Sequence, residues 1–239
     1  MMNRNIIFAA VFILISAAAF GQNENDIMKE AFNRLSKSPF TSIFSSGGAF
    51  YSGDDLDQMP MLVNYYKNGN NKYMNVSDGL FGSMIMDAKV NNNSLILNLP
   101  ELKSPIKRNF DEFALDAPIM RFPKVYADIL DYKFIDLSKK IISSNITLGR
   151  NWHTLKIEYN DRVDTIVFSA STYRVRTFST AFMDNIVNVE LGDYSTVNNM
   201  PYPKEFIMKS KADKRELHYN ITNVFSGDKA KKEAEKLGW

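Results

Sequence analysis

The stretch MLVNYYKNGNNKYMNVSDG, Met61–Gly79, decides the fold. Over Met61–Lys67 the residues Met61, Val63 and Tyr65 lie on the face opposite Asn64, and over Lys72–Val76 the residues Met74 and Val76 oppose Asn75. That is the period of two of a strand with one buried face. Asn68-Gly69 sits between the two runs and Asp78-Gly79 follows them. Both pairs are hairpin-turn signals, because their residues accept the positive φ that tight turns demand. The reading is a run of sequential antiparallel hairpins.

The same alternation extends outward. Upstream is Ile43–Tyr51, in which Gly47-Gly48 reads as a bulge or kink that bends the strand. Downstream, in Phe81–Val90, Met84, Met86, Ala88 and Val90 oppose Ile85, Asp87 and Lys89. After the Asn91-Asn92-Asn93 turn comes Ser94–Leu99, where Leu95, Leu97 and Leu99 oppose Ile96 and Asn98. A second meander is expected over Trp152–Tyr159, Arg162–Ser169, Tyr173–Phe178, Ile186–Leu191, Phe206–Lys209 and Glu216–Val224. There Leu155, Ile157 and Tyr159 share one face, as do Val187, Val189 and Leu191. This gives about eleven strands, apolar on one face and wet on the other, in an α+β chain that is mostly antiparallel β.

Helices are few. Ile27, Ala31, Phe32 and Leu35 form a helical stripe that Asp26 can cap and Ser38-Pro39 ends. Between the meanders, Phe110, Phe113, Ala114 and Ala117 recur at helical spacing up to Pro118, and Pro123 can open a second short helix with Val125, Tyr126, Ile129 and Leu130 on its apolar face. Asp228–Leu237 reads as a solvated, lysine-rich helix stopped by Gly238. This cover is small for so large an apolar face. The sheet must curl and pack on itself or leave a cavity, and Met61, Met74, Met84 and Met86 would be suitably adaptable walls for one.

Met1–Gly21 has the form of a cleavable export signal: Arg4, an apolar run from Ile6 to Phe20, then Ala19-Phe20-Gly21 before a cut at Gln22. The run is short for a membrane span. With no Cys in the chain there is no thiol for a lipid anchor, a disulfide or a thiolate metal site. Gln22–Trp239 is therefore expected as a single domain released into an exported compartment and held by its hydrophobic core. The net charge of +2 falls by one when Arg4 is removed, a balance that argues against nucleic acid as partner.

No catalytic chemistry stands out. The two histidines, His153 and His218, fall on separate strands, both expected on the wet parity. No His-Glu-x-x-His, Gly-x-Ser-x-Gly or phosphate-cradling glycine loop occurs. Asp54, Asp55 and Asp57 read as a solvated acidic loop before a metal site, and Arg174 and Arg176, sharing a face with Phe178, read as an exposed basic face. No catalytic residue, metal ligand or cofactor is expected.

The outline of one helix, a meander, a short helical interruption and a second meander resembles the periplasmic outer-membrane lipoprotein carriers, the LolA/LolB-like group. Met59-Pro60-Met61 leading to Tyr65-Tyr66 and Val76-Ser77-Asp78-Gly79 is similar to a stretch of those carriers, and Val189–Tyr194 with Met200–Lys204 resembles their closing strands. The resemblance implies a curved half-barrel with a short helical lid (about 109–131) over an apolar, acyl-binding cavity. On these positions the cavity would be lined by Met61, Val63, Tyr65, Met74, Val76, Met84, Met86, Leu95, Leu97, Leu155, Ile157, Val187 and Val189, and the lid would present Phe110, Phe113, Val125 and Ile129. It implies a monomer that takes acyl chains of lipoproteins or lipids from an inner-membrane release complex to an outer-membrane acceptor. Met59 stands where the carriers latch the lid with an arginine, and Arg121 reads as a solvated loop residue.

Overall fold

The computed structural model describes residues 23–52, 60–91, 94–109, 125–182, 185–211 and 213–239. The export segment, Asp54, Asp55, Asp57, Met59, Phe110, Phe113 and Arg121 lie outside the described residues.

Helix α1, Glu24–Leu35, buries Ile27, Ala31 and Leu35, the stripe its spacing dictates. Its N-cap is Asn23, whose side chain accepts from the Asn25 amide at 3.3 Å. Asp26 falls instead in the first turn, where a carboxylate suits the helix dipole.

Strands β1 (Ser42–Ser52), β2 (Met61–Asn68), β3 (Asn71–Asp78), β4 (Met84–Asn91), β5 (Ser94–Asn98) and β6 (Ile106–Asn109) form the first meander. The second comprises β7 (Ile141–Thr147), β8 (Trp152–Tyr159), β9 (Val163–Ser169), β10 (Val175–Phe182) and β11 (Asn185–Leu191), then β14 (Glu205–Ser210) and β15 (Asp213–Ser226). The meanders join where β1 pairs with β15, making one open antiparallel sheet of thirteen strands, β6-β5-β4-β3-β2-β1-β15-β14-β11-β10-β9-β8-β7. A separate hairpin, β12 (Tyr194–Val197) and β13 (Met200–Pro203), turns through Asn198 and Asn199, both at positive φ. Pro201 and Pro203 thus belong to a strand of their own, in a two-stranded ribbon where a missing N–H is tolerated. β6, β7, β12 and β13 exceed the expected strands; they are short or carry irregular alternation, so period two is faint in them.

The turns differ in detail from expectation. β2 and β3 are joined by Gly69-Asn70, with positive φ at Gly69 alone, the II′ pattern. After β3 the chain makes a longer loop. Asp78 accepts from the Leu80 and Phe81 amides at 2.6 and 2.9 Å, and the positive φ falls on Gly82. Gly79 is required for space, since a Cβ there would press on Pro60. The loop holds Leu80 and Phe81 outward, 71% and 83% exposed.

β1 is bent against β15 at Ser46/Gly47, where the register shifts by one residue. A Cβ on Gly47 would overlap the Asn220 carbonyl and sit 2.7 Å from the Tyr219 hydroxyl. Only glycine lets the two central strands cross this closely.

One continuous core fills the inner face, reaching from Leu95 and Val90 through Tyr65 and Ile43 to Val189, Phe168 and Ile157. A second, smaller cluster lies on the outer face. Helix α2, Asp228–Glu235, buries Ala230 and Ala234 against Phe44 and Tyr66, and Trp239 stacks on Tyr73 at 6.0 Å. The tail expected to be solvated is therefore docked through two small residues, and Lys229 lies over the Phe225 ring at 4.1 Å.

Candidate functional site

Nearly all residues expected to line the apolar face do face inward. Val63, Tyr65, Met74, Val76, Met86, Leu95, Leu97, Leu155, Ile157, Val187 and Val189 are each at most 4% exposed, and Met61 is 9% exposed. Met84 is the exception, at 44%. The β3–β4 ladder pairs Val76 with Met86 but Ser77 with Met84, so Ile85 is an extra residue that reverses the parity beyond it. Met84 points out with Ser77, and Ile85 packs on the core in its place.

The helical residues 125–130 lie across this face. Ile129 and Leu130 are buried and Val125 is half-buried. Tyr126, fully buried, enters the centre of the sheet: its hydroxyl lies 2.6 Å from Ser45 Oγ and 2.7 Å from the Tyr219 hydroxyl. The Tyr126 ring meets Tyr65 and Tyr219 edge-on at 5.4 and 4.8 Å. Burial pushes all three phenols up in pKa, so they stay neutral, and Tyr126 and Tyr219 serve as hydrogen-bonding groups.

Beyond this helix the chain is strapped to both meanders by buried ion pairs. Asp131 forms ion pairs with Lys67 at 3.1 Å and with Lys72 at 2.9 Å. Lys67 also donates to Ser38 Oγ at 2.7 Å. Burial lowers the Lys67 pKa, against which the Asp131 carboxylate acts. Five residues on, Asp136 meets Arg162 at 3.4 Å, and Arg162 grips Asp164 of β9 through both carboxylate oxygens at 3.1 Å. Burial raises the Asp164 pKa and Arg162 opposes that rise. Between the clamps Tyr132 reaches the Tyr173 carbonyl at 2.9 Å, and the Ile135 amide bonds to Leu35 of α1. The sequence showed this apolar helix. It gave no signal for the clamps, because a lone Asp131 or Lys67 reads as surface until the register sets it inside.

The histidines are apart. His153 shares the inward parity of Leu155 and Ile157, contrary to expectation; it is 7% exposed, edge-on to Phe168 at 5.6 Å. Burial lowers its pKa. His218 faces outward, with Nε2 2.9 Å from Ser52 Oγ and 3.4 Å from a Glu216 oxygen. Both partners approach the same ring nitrogen, so the Glu cannot orient the base from its other side as a catalytic triad requires. Arg174 and Arg176 lie over Tyr194 and Trp152 at 5.6 and 5.3 Å, while Phe178 packs on the core. A bulge between Val175 and Thr177 separates their parities.

A curled open sheet, one α-helix at its start and a strap across the inner face define a recognisable architecture. A LolA superfamily protein from Nitrosomonas europaea aligns with a TM-score of 0.62 at 12% identity, covering 85% of this chain and 93% of that one. The chain has a LolA-like fold. An outer membrane lipoprotein-sorting protein domain from Vibrio parahaemolyticus aligns at 0.58 and 10% identity over 84% of this chain and 91% of its own. A DUF1329 family protein from Desulfovibrio piger gives 0.57 and 8% over 84% and 90%. No protein-family model matches the sequence, and no curated protein does. No helix among the described residues is long and apolar enough to cross a membrane, and no group of three or more metal-ligating side chains occurs among them.

Proposed function

We propose that this chain is a lipid- or lipoprotein-binding carrier of the cell envelope that shelters acyl chains against its inner face. The observation that carries the reading is that face: on a LolA-like sheet, both meanders turn their apolar parity to one side, and a strap rather than a second sheet covers it. Each sheltered methylene would contribute about 0.8 kcal/mol. Binding needs no covalent step, so the chain acts as a carrier and not as an enzyme. It works as a monomer in the periplasm, freed of its signal near Gly21. It collects cargo at an inner-membrane release complex and delivers it to an outer-membrane acceptor. The braced Leu80–Phe81 loop is an apolar point of contact for such a hand-over.

One observation favours a second reading, a protein-docking or sensor module on the same fold. Around Tyr65, Met74, Ala88, Val90 and Ala127 the free space is only 10 Å³, so this part of the inner face is already filled. Native mass spectrometry of Gln22–Trp239 purified without detergent separates the two. A carrier retains an extractable lipid or acylated mass, or takes up an added fluorescent fatty acid. A clean apo mass with no uptake assigns the docking role.

A further inference from the structure

Positive charge is unevenly placed in this chain. Basic and acidic residues nearly balance overall, 29 against 27, yet Leu137–Ile157 and Thr165–Phe182 together hold six cations and no acidic residue. These stretches supply β7, β8, most of β9 and β10, which pairing sets side by side. Three of the six cations, Arg150, Arg174 and Arg176, gather at one end of these strands. There the β7–β8 and β9–β10 turns are neighbours, because Trp152 pairs with Ser169.

The two turns are braced. The Ala170 amide of one donates to the Asn151 carbonyl of the other at 3.0 Å. The Ser169 hydroxyl accepts from the Ser171 and Thr172 amides at 3.4 and 3.3 Å. A Cβ on Gly149 would lie 2.4 Å from the Trp152 carbonyl, so the first turn is closed as tightly as glycine allows. On this frame Leu148 and Trp152, 37% and 39% exposed, flank the exposed Arg150. Arg176 and Arg174 are exposed as well and rest over the rings of Trp152 and Tyr194. None of the three arginines has a carboxylate partner among the described residues. Of the acids toward this end, Glu30 pairs with Arg34 on α1 and Glu190 with Lys209, while Asp193 and Glu205 lie on the far side of β11.

We propose that these two turns dock the protein on an anionic lipid bilayer, with Leu148 and Trp152 at headgroup depth and the three arginines on lipid phosphates. Tryptophan, an apolar ring with one N–H donor, favours that boundary. A guanidinium resting on a ring face keeps its N–H fork free for phosphate. Apolar side chains at the tip with cations around them are the two requirements of an interfacial contact. An acidic protein would attract the same arginines but would need pockets for Leu148 and Trp152; a bilayer receives both without a matched surface. The Leu80–Phe81 loop belongs to the opposite end of the antiparallel strands. This contact is therefore separate from that loop, and it does not rest on the acyl-carrier reading.

Trp152 and Trp239 are the two tryptophans of the chain. In Gln22–Trp239, Trp239→Phe keeps a ring on Tyr73 and leaves Trp152 as the reporter. Vesicles of phosphatidylcholine with phosphatidylglycerol should shift its emission to the blue, and spin labels at headgroup depth should quench it. Vesicles of phosphatidylcholine alone should do neither. Arg150→Gln and Arg174→Gln, both at exposed positions, should each weaken the partition about fivefold, the weight of one cation at an anionic surface. Lys103→Gln, an equal charge change in the exposed β5–β6 loop at the other end of the strands, should leave it unchanged. Binding indifferent to phosphatidylglycerol, or a loss from Lys103→Gln equal to that from the arginines, overturns the proposal. So does a Trp152 emission that vesicles leave unmoved, which would make an acidic protein surface the partner instead.

Discussion

Lys67 and Lys72 stand directly opposite each other across β2 and β3, both pointing into the protein, and share the single carboxylate of Asp131. Like charges in register on a buried face repel unless a counter-charge lies between them. Asp131 supplies one from the strap and so ties the strap to the first meander.

Asp131→Asn should therefore cost about 3–5 kcal/mol, the penalty for uncompensated buried charge, and not the fraction of a kcal/mol of a surface pair. Replacing Lys67 and Lys72 by Met in the same chain should return most of that loss. Denaturant unfolding of the single, double and triple variants measures it. A single variant within 1 kcal/mol of the parent would mean that water already solvates the cluster.

The hydroxyl chain Ser45–Tyr126–Tyr219 is the second anchor. Tyr126→Phe keeps the ring packing but leaves two buried hydroxyls without their shared partner, and should cost about 1–3 kcal/mol. Gly47→Ala should cost at least as much, because the new methyl meets the Asn220 backbone and cannot relax as a side chain would. Ser45→Ala with Tyr126→Phe should be less than additive in thermal unfolding, since both remove the same bond.

The fold was legible because period two is a local signal: from Met61 to Leu97 and from Leu155 to Leu191 each strand displays its own buried face. What sequence could not display is register. The extra residue at Ile85 turned Met84 outward, and the bulge at Arg176 parted the arginines from Phe178. His153 sits on the inward parity with Leu155, and the type of residue, not the spacing, suggested otherwise. The ion pairs of the strap lay beyond reach for a related reason. Lys67 and Lys72 close a hairpin that reads as exposed until Asp131, far along the chain, is brought onto it.

The Ile85 bulge gives a sharp comparison. Met84→Glu should change stability by no more than about 0.5 kcal/mol, as an exposed substitution does. Met86→Glu, at a position 2% exposed, should cost about 3–5 kcal/mol by placing an unpaired carboxylate in the core. Thermal unfolding of the two variants decides the register. Equal losses would mean that both methionines face inward and that the bulge is absent.

Alkaline pH should unfold the protein through its tyrosines. Burial pushes Tyr132 and Tyr159 up to about 12 and raises Tyr65 and Tyr219 well above 10.0. A phenol held protonated in the folded state keeps its stabilising effect in full below the unfolded value of 10.0. That effect is lost as pH climbs from there through about 12, because only the unfolded chain gives up the proton. Lys67 acts with the opposite sign: its lowered pKa makes folding more favourable as pH rises toward 10.5. Below about pH 10 the lysine acts without the phenols and stability should rise slightly; above it several phenols outweigh one lysine, and stability should fall by more than one proton's slope. Urea unfolding at stepped pH, read beside phenolate absorbance, tests this. Phenolate absorbance from Tyr132 and Tyr159 appearing near pH 10 in the still-folded chain would show that these rings are open to water.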